Sequence, residues 1–294
     1  MTAKIKKIES KKILHLIPKV LMLLKFSFLT VIIFPIVWVI FYTFISPPYS
    51  LYMLIKKWDN KQEIQVEKIP FKQISKWSKL AVIASEDGKF YSHMGFDFEA
   101  IKKAQEHNKK SKRKRGASTI SQQTAKNLFL YPSRSFIRKG LETYFTILIE
   151  IFWTKDKILE HYLNSIELGP GIYGVQAAAK KYFQKNAKDL TLSEASLMAS
   201  VLPNPIKFRI NRPSSYVLKR QSKISQILRG IKNPSESNQM SLEPIQQMTS
   251  DPLEEINEEV KNDDDLNEKI STQSFNNNQE LENNFQEINF QENN

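Results

Sequence analysis

The amino-acid sequence predicts a mainly α-helical globular domain, carried on one N-terminal transmembrane helix and followed by a disordered C-terminal tail. Three observations lead there. One uncharged apolar run is long enough to cross a bilayer, the middle of the chain repeats its apolar residues at helical spacing, and residues 233–294 are acidic and polar with no period.

The apolar run is Phe26–Ser46, which contains no charged side chain. At about 1.5 Å per residue it spans roughly 31 Å, against ~30 Å for the hydrocarbon core. A soluble helix of this length would show a polar face, and a signal peptide would end in small residues. The run instead leads into Ile45-Ser46-Pro47-Pro48, as expected of an uncleaved anchor. Pro35 is placed to kink it. Lys4, Lys6, Lys7, Lys11, Lys12, Lys19 and Lys25 precede the run, whereas only Lys56, Lys57 and Lys61 fall between Ser46 and Glu67. The positive-inside bias predicts a cytoplasmic N-terminus and an external body.

The chain therefore divides into a basic cytoplasmic tail (1–25), the anchor (26–46), a connector near the membrane (47–69), a globular domain (70–232) and an acidic, Asn- and Gln-rich tail (233–294). The net charge of +12 combines −13 over positions 233–294 with +25 over positions 1–232. Such a body seeks anions: nucleic acid, anionic lipid or a phosphorylated substrate. An external position argues against nucleic acid, including for the run Lys109–Arg115. The absence of cysteine excludes disulfides, thiolate metal sites and a cysteine nucleophile.

Within the domain, Ile137, Leu141, Tyr144, Phe145, Leu148 and Phe152 recur at steps of three and four. Further helices are predicted over 98–106, 119–130, 155–163, 174–183 and 193–202. Ser118 or Thr119, and Thr191 or Ser193, stand as N-caps. Strand patterns are scarce.

Three segments can carry chemistry, and each has a plainer alternative. Glu86 follows the apolar stretch Leu80–Ala84. There it could be a partly desolvated general base, or it and Asp87 could be solvated helix-end charges. Ser118, Gln122 and Lys126 lie four apart, suited to gripping sugar hydroxyls and a phosphate, or to forming a capped solvent face. Arg138 and Glu142 could be a surface ion pair. With Arg134 and Lys139 they could instead surround a pyrophosphate, neutralising departing charge while a carboxylate accepts a proton. His93 has no second ligand at metal spacing and reads as structural.

Five ordered stretches resemble the family 51 glycosyltransferases, specifically the monofunctional peptidoglycan transglycosylases. They are Glu86–Asp97, Gly116–Gln123, Arg138–Glu142, Lys157–Asn164 with Gly169 and Gly171–Val175, and Glu194–Pro205. The resemblance covers about residues 70–212. It implies an all-α, lysozyme-like catalytic domain with a cleft between two lobes and a hydrophobic jaw near the membrane. The implied reaction transfers a growing lipid-pyrophosphate-linked glycan onto the 4-hydroxyl of lipid II, inverting an α linkage to a β-1,4 bond. Glu86 would be the general base and Glu142 would assist at the pyrophosphate, directly or through a divalent cation (magnesium or manganese). Lys126, Arg134, Arg138 and Lys139 would stabilise charge, while Ser118, Gln122, Gln123 and Asn164 would bind substrate. No metal ligand and no other cofactor is implied. Implied partners are lipid II, the growing glycan, the bilayer of the plasma (inner) membrane and other cell-wall synthesis proteins, with no nucleic acid. No S-x-x-K with K-T-G follows, so the cross-linking domain of bifunctional relatives is not expected. Gln184 stands where relatives often carry Gly, and the stretch 105–115 is unusually rich in lysine. The competing functions are a lysozyme-like glycan-cleaving enzyme, which would not need the cations, and a non-enzymatic envelope scaffold.

Overall fold

A computed structural model gives the coordinates of the chain. It describes residues 2–61, 63–111, 116–133 and 135–231. The acidic tail predicted to be disordered, residues 112–115 of the basic run and Arg134 lie outside the described residues. The described chain is mostly helical and divides into two compact units, one built of residues 2–74 and 90–188, the other of 75–89 and 189–231.

The first unit opens with α1 (Thr2–Phe44), longer than the uncharged run because the lysine-rich residues before it continue the same helix. Among the described residues, one helical stretch is long and apolar enough to cross a membrane, Pro18–Phe44. Its apolar side chains at 20–23, Phe26, Phe28, Leu29 and 31–34 point outward, a surface that water does not tolerate at this size. Pro18 and Pro35 both sit inside the helix.

The C-terminal part of α1 packs against the rest of its unit. Val39 is fully buried. Trp38 meets Phe129 edge-on at 5.3 Å, and Tyr42 stacks on the same ring. Phe129 in turn lies flat on Phe145, 4.6 Å between centroids. Trp153 Nε1 donates to the Val39 carbonyl (3.1 Å) and His161 Nε2 to that of Tyr42 (3.0 Å). The Tyr42 carbonyl is among the last four of the helix, which have no partner within it. His161 is thereby the proton-bearing donor at Nε2, and burial, more than the nearby Lys157, pulls its pKa down to about 3.

A short break leads to α2 (Leu51–Asn60), capped by the Ser50 hydroxyl, which accepts from Met53 N–H. Met53 is buried, and α2 packs on the helix Ile120–Phe129. The ammonium of Lys68 donates to the Pro47 carbonyl, and burial lowers its pKa to about 8. The connector then enters a small sheet. β1 (Gln65–Val66) runs parallel to β3 (Ile172–Tyr173), and β2 (Glu167–Gly169) lies antiparallel on the other side of β3. These strands are too short to show alternation in sequence.

α4 (Phe98–Lys110) is capped by Asp97, and α5 (Ile120–Phe129) by Thr119 in a capping box with Gln122. α6 (Phe136–Phe152) and α7 (Lys155–Ser165) start at Ser135 and Thr154. The apolar pattern of α6 splits by depth. Phe145 and Leu148 are core, whereas Phe136, Ile137, Leu141, Ile147, Ile151 and Phe152 remain exposed. α8 (Val175–Ala178) widens into a wider-than-α turn over Ala179–Phe183. The turn closes on Gln184 at φ +56°, a left-handed position that favours glycine.

The second unit contains α3 (Lys76–Glu86), α9 (Leu192–Ser200) and α10 (Ser215–Arg229), which pack on one another. Their core includes Leu80, Ile83, Met198, Val217, Ile224 and Leu228. Ser75 caps α3 and donates its hydroxyl proton to the Leu190 carbonyl at 3.0 Å. Thr191 and Glu194 form a second capping box. Arg220 is buried, and its Nε donates to the Ser200 carbonyl at 3.3 Å.

Candidate active site

Glu142 lies in the second turn of α6, with its side chain 4% exposed. Arg138 Nη1 reaches Oε2 at 2.6 Å from one turn below, and the Lys139 ammonium bonds Oε1. Both oxygens are therefore held by cations, and the arrangement is a buried carboxylate under two cations rather than a surface ion pair. Lys139 is half exposed, at 47%. One carboxylate against two cations leaves a net positive charge, with an ammonium facing solvent. That charge is suited to an anion arriving from outside.

α5 places the polar motif residues differently from a single stripe. Ser118 is exposed and precedes the helix, because Thr119 rather than Ser118 is the cap. Thr119 also donates its hydroxyl proton to the Gly95 carbonyl (2.7 Å). Gln122 is buried, and its Oε1 accepts from Thr119 N–H at 3.1 Å. Gln123 accepts from the Tyr162 hydroxyl at 3.2 Å. Lys126 is half-buried, its ammonium 5.8 Å from the centre of the Tyr52 ring. Asn164, at the end of α7, accepts from Ile69 N–H and donates to the carbonyls of Ile69 and Glu160. It ties the connector to α7.

Three side chains that the sequence does not single out, Tyr52 and Lys56 from α2 and Glu167 from β2, join Lys126, together with Tyr173 of the Gly171–Val175 stretch on β3. Glu167 is partly buried, and this desolvation raises its pKa. The charges of Lys56 and Lys126 and hydrogen bonds from Gly171 N–H and the Tyr173 hydroxyl oppose the rise. Burial, reinforced by Glu167, pushes the Tyr173 phenol up. Tyr52 is likewise raised by burial and by Glu167, while Arg138 pulls it down. Tyr52 thus lies within electrostatic range of both the Arg138 side of the triad and Glu167. The signal that could reveal these residues is weak, since the segment that forms α2 reads in sequence only as connector.

A separate buried network braces the loop before α4. Glu150 accepts from the Ser121 hydroxyl and from Lys155 Nζ (2.8 Å), beneath Gly95.

Glu86 belongs to the second unit. It is the last residue of α3, half-buried, following the buried residues Leu80–Ala84, and Asp87 behind it is buried as the C-cap. Among the described residues, no three His, Asp or Glu side chains gather as a metal-binding set.

The first unit thus sets a buried carboxylate between two cations, with Lys126 on the neighbouring helix. The transglycosylase family model matches residues 53–229. The chain is 52% identical over 191 residues to a biosynthetic peptidoglycan transglycosylase of Bdellovibrio bacteriovorus, covering 63% of this chain and 76% of that protein. It is 48% identical over 197 residues to one of Caulobacter vibrioides, covering 67% and 86%. With one of Pasteurella multocida the identity is 50% over 192 residues, covering 63% and 78%. The chain belongs to the transglycosylase family.

Proposed function

We infer that the protein is a peptidoglycan glycosyltransferase that polymerises glycan strands from lipid II at the plasma membrane. The observation that carries this reading is the Arg138–Glu142–Lys139 triad, together with Lys126 on the neighbouring helix: fixed cations suited to a departing diphosphate. Family membership supports it. The apolar α1 supports membrane anchoring, and the exposed apolar face of α6 suits contact with lipid. The lysines before the apolar stretch favour an N-terminus inside and the catalytic residues outside.

In the proposed reaction the 4-hydroxyl oxygen of lipid II attacks the anomeric carbon of the lipid-linked chain. A C–O bond forms there as the bond to the diphosphate oxygen breaks on the opposite face, so configuration inverts. Glu86 accepts the hydroxyl proton. Lys126, Arg138 and Lys139, with Arg134, take up the charge of the leaving diphosphate, and Glu142 keeps Arg138 and Lys139 in place. Ser118, Gln122, Gln123 and Asn164 shape the surrounding site. Preorganised cations act where charge develops, which is where they lower the barrier most. Glycan hydrolysis releases no diphosphate and gives these cations no role.

The test incubates purified full-length protein in detergent with lipid II, and separately with preformed glycan. Chain growth is expected in the first and no shortening in the second. Glu86→Gln should lower polymerisation by roughly 10²-fold or more while the melting temperature holds. Shortening of preformed glycan, or an unchanged rate in that variant, would overturn the mechanism.

A further inference from the structure

The second unit carries a one-sided charge that the proposed reaction does not use. Between Ala195 and Ile231 the chain has seven lysines and arginines and no Asp or Glu, a net of +7. Five of these cations, Lys207, Arg209, Arg212, Lys219 and Arg229, are exposed. Packing gathers them: Phe208 lies 4.9 Å from the Tyr216 ring, which seats the 203–212 loop against the first turn of α10. Along α10, Leu218, Lys219, Ser222, Gln226 and Arg229 face solvent, while Val217, Ile224 and Leu228 are core. Two apolar side chains stand among the cations, Ile206 at 41% and Leu218 at 48% exposure. Cations gathered with no acid among them repel one another, so the face favours an anionic partner.

The chain that follows supplies one. From Asp251 to Glu268 it has nine Asp and Glu against Lys261, a net of −8, and the glutamate pairs 254–255 and 258–259 stand between Leu253, Ile256 and Val260. Nineteen residues join Ile231 to Asp251. Extended, they reach up to about 65 Å, roughly three times the ~22 Å length of α10, so the segment can return along the whole face. Such a tether holds it at an effective concentration in the millimolar range, which fills sites built of individually weak charge pairs. We propose that residues 251–268 dock on the basic face of α10 and the 203–212 loop, their acids against the exposed cations and their apolar side chains against Ile206 and Leu218. The docked segment cancels the charge of this face and keeps other anions off it. Anionic lipid is the competing partner, and it would have to displace the tethered segment.

The chain has no cysteine, so Ser222→Cys on α10 and Asn257→Cys in the acidic segment give its only two thiols. The full-length protein carrying both, dilute in zwitterionic micelles, is treated with a short bis-maleimide, and the rate of the intramolecular cross-link is measured. Gln226→Cys is the alternative placement if Ser222→Cys melts early. Adding Glu254→Gln, Glu255→Gln, Glu258→Gln and Glu259→Gln changes no residue of either unit and should slow the cross-link roughly tenfold, the summed effect of a few exposed charge pairs. Salt at about 1 M, where the Debye length is ~3 Å, should slow it similarly. A rate indifferent to both would reflect the tether alone and overturn the proposal. The same measurement in nanodiscs containing phosphatidylglycerol should keep the cross-link. Its loss there would assign the face to lipid and overturn the proposal as well.

Discussion

Replacing Glu142 with Gln tests how much of the fold and how much of the activity depend on its buried carboxylate. The carboxylate is almost fully enclosed, so its loss leaves Arg138, only 13% exposed, with a positive charge and little water to solvate it. Removing one partner of such a buried pair costs about 3–5 kcal/mol. Lys139 is half exposed and can turn to solvent, so its share is below about 1 kcal/mol. Since Arg138 keeps some solvent access, the lower end, about 3 kcal/mol, is the expected destabilisation. For a body of this size that lowers the melting temperature by roughly 6–12 °C. The assay is thermal unfolding in detergent beside lipid II polymerisation at a temperature where both proteins remain folded. The double variant Arg138→Met/Glu142→Leu replaces the pair by apolar groups and should recover most of the stability but none of the activity. Recovery of activity along with stability would show that the triad is only a brace. A melting temperature unchanged by Glu142→Gln would refute the burial argument.

Two further outcomes follow from the first unit. His161 holds a folded-state pKa of about 3 against an ordinary 6.5, so as pH falls the unfolded chain takes up a proton that the folded one refuses. Stability should be complete above pH 6.5 and decline toward pH 3 by up to about 1.4 kcal/mol per unit from this group; His161→Phe should flatten that slope in acid unfolding curves. Gly95 adopts φ +83°, and a Cβ there would come within 2.8 Å of Thr146 Cγ2 and 3.0 Å of Glu150 Cγ. Gly95→Ala should therefore cost roughly 2–4 kcal/mol, visible as a lowered denaturant midpoint.

The parts of this molecule that are legible in sequence are those set by local rules. The anchor and α6 announce themselves by composition and period, and Thr119 and Thr191 by standing three positions before Gln122 and Glu194. Even there, Ser118 competes with Thr119 for the cap, and only the backbone decides between neighbours. Arg138 and Glu142 are visible as a pair at helical spacing, but burial is a property of what packs over α6, so sequence alone does not separate a surface bridge from an enclosed carboxylate. Glu167 is hidden for the same reason. Its partners Tyr52, Lys56 and Lys126 lie far away in the chain, and its strand is only Glu167–Gly169. α10 has no clear signature within the domain although Ser214 caps it, because its apolar residues are spaced among many polar ones.

Because carbonyls of α1 are gripped by Trp153 and His161 while its rings interleave with Phe129 and Phe145, the anchor cannot swivel like a rope on a buoy. In the proposed membrane-anchored enzyme, the depth of this helix would set the height and tilt of α6. Exchanging this helix for an unrelated membrane span would preserve the address of the protein and lose its alignment.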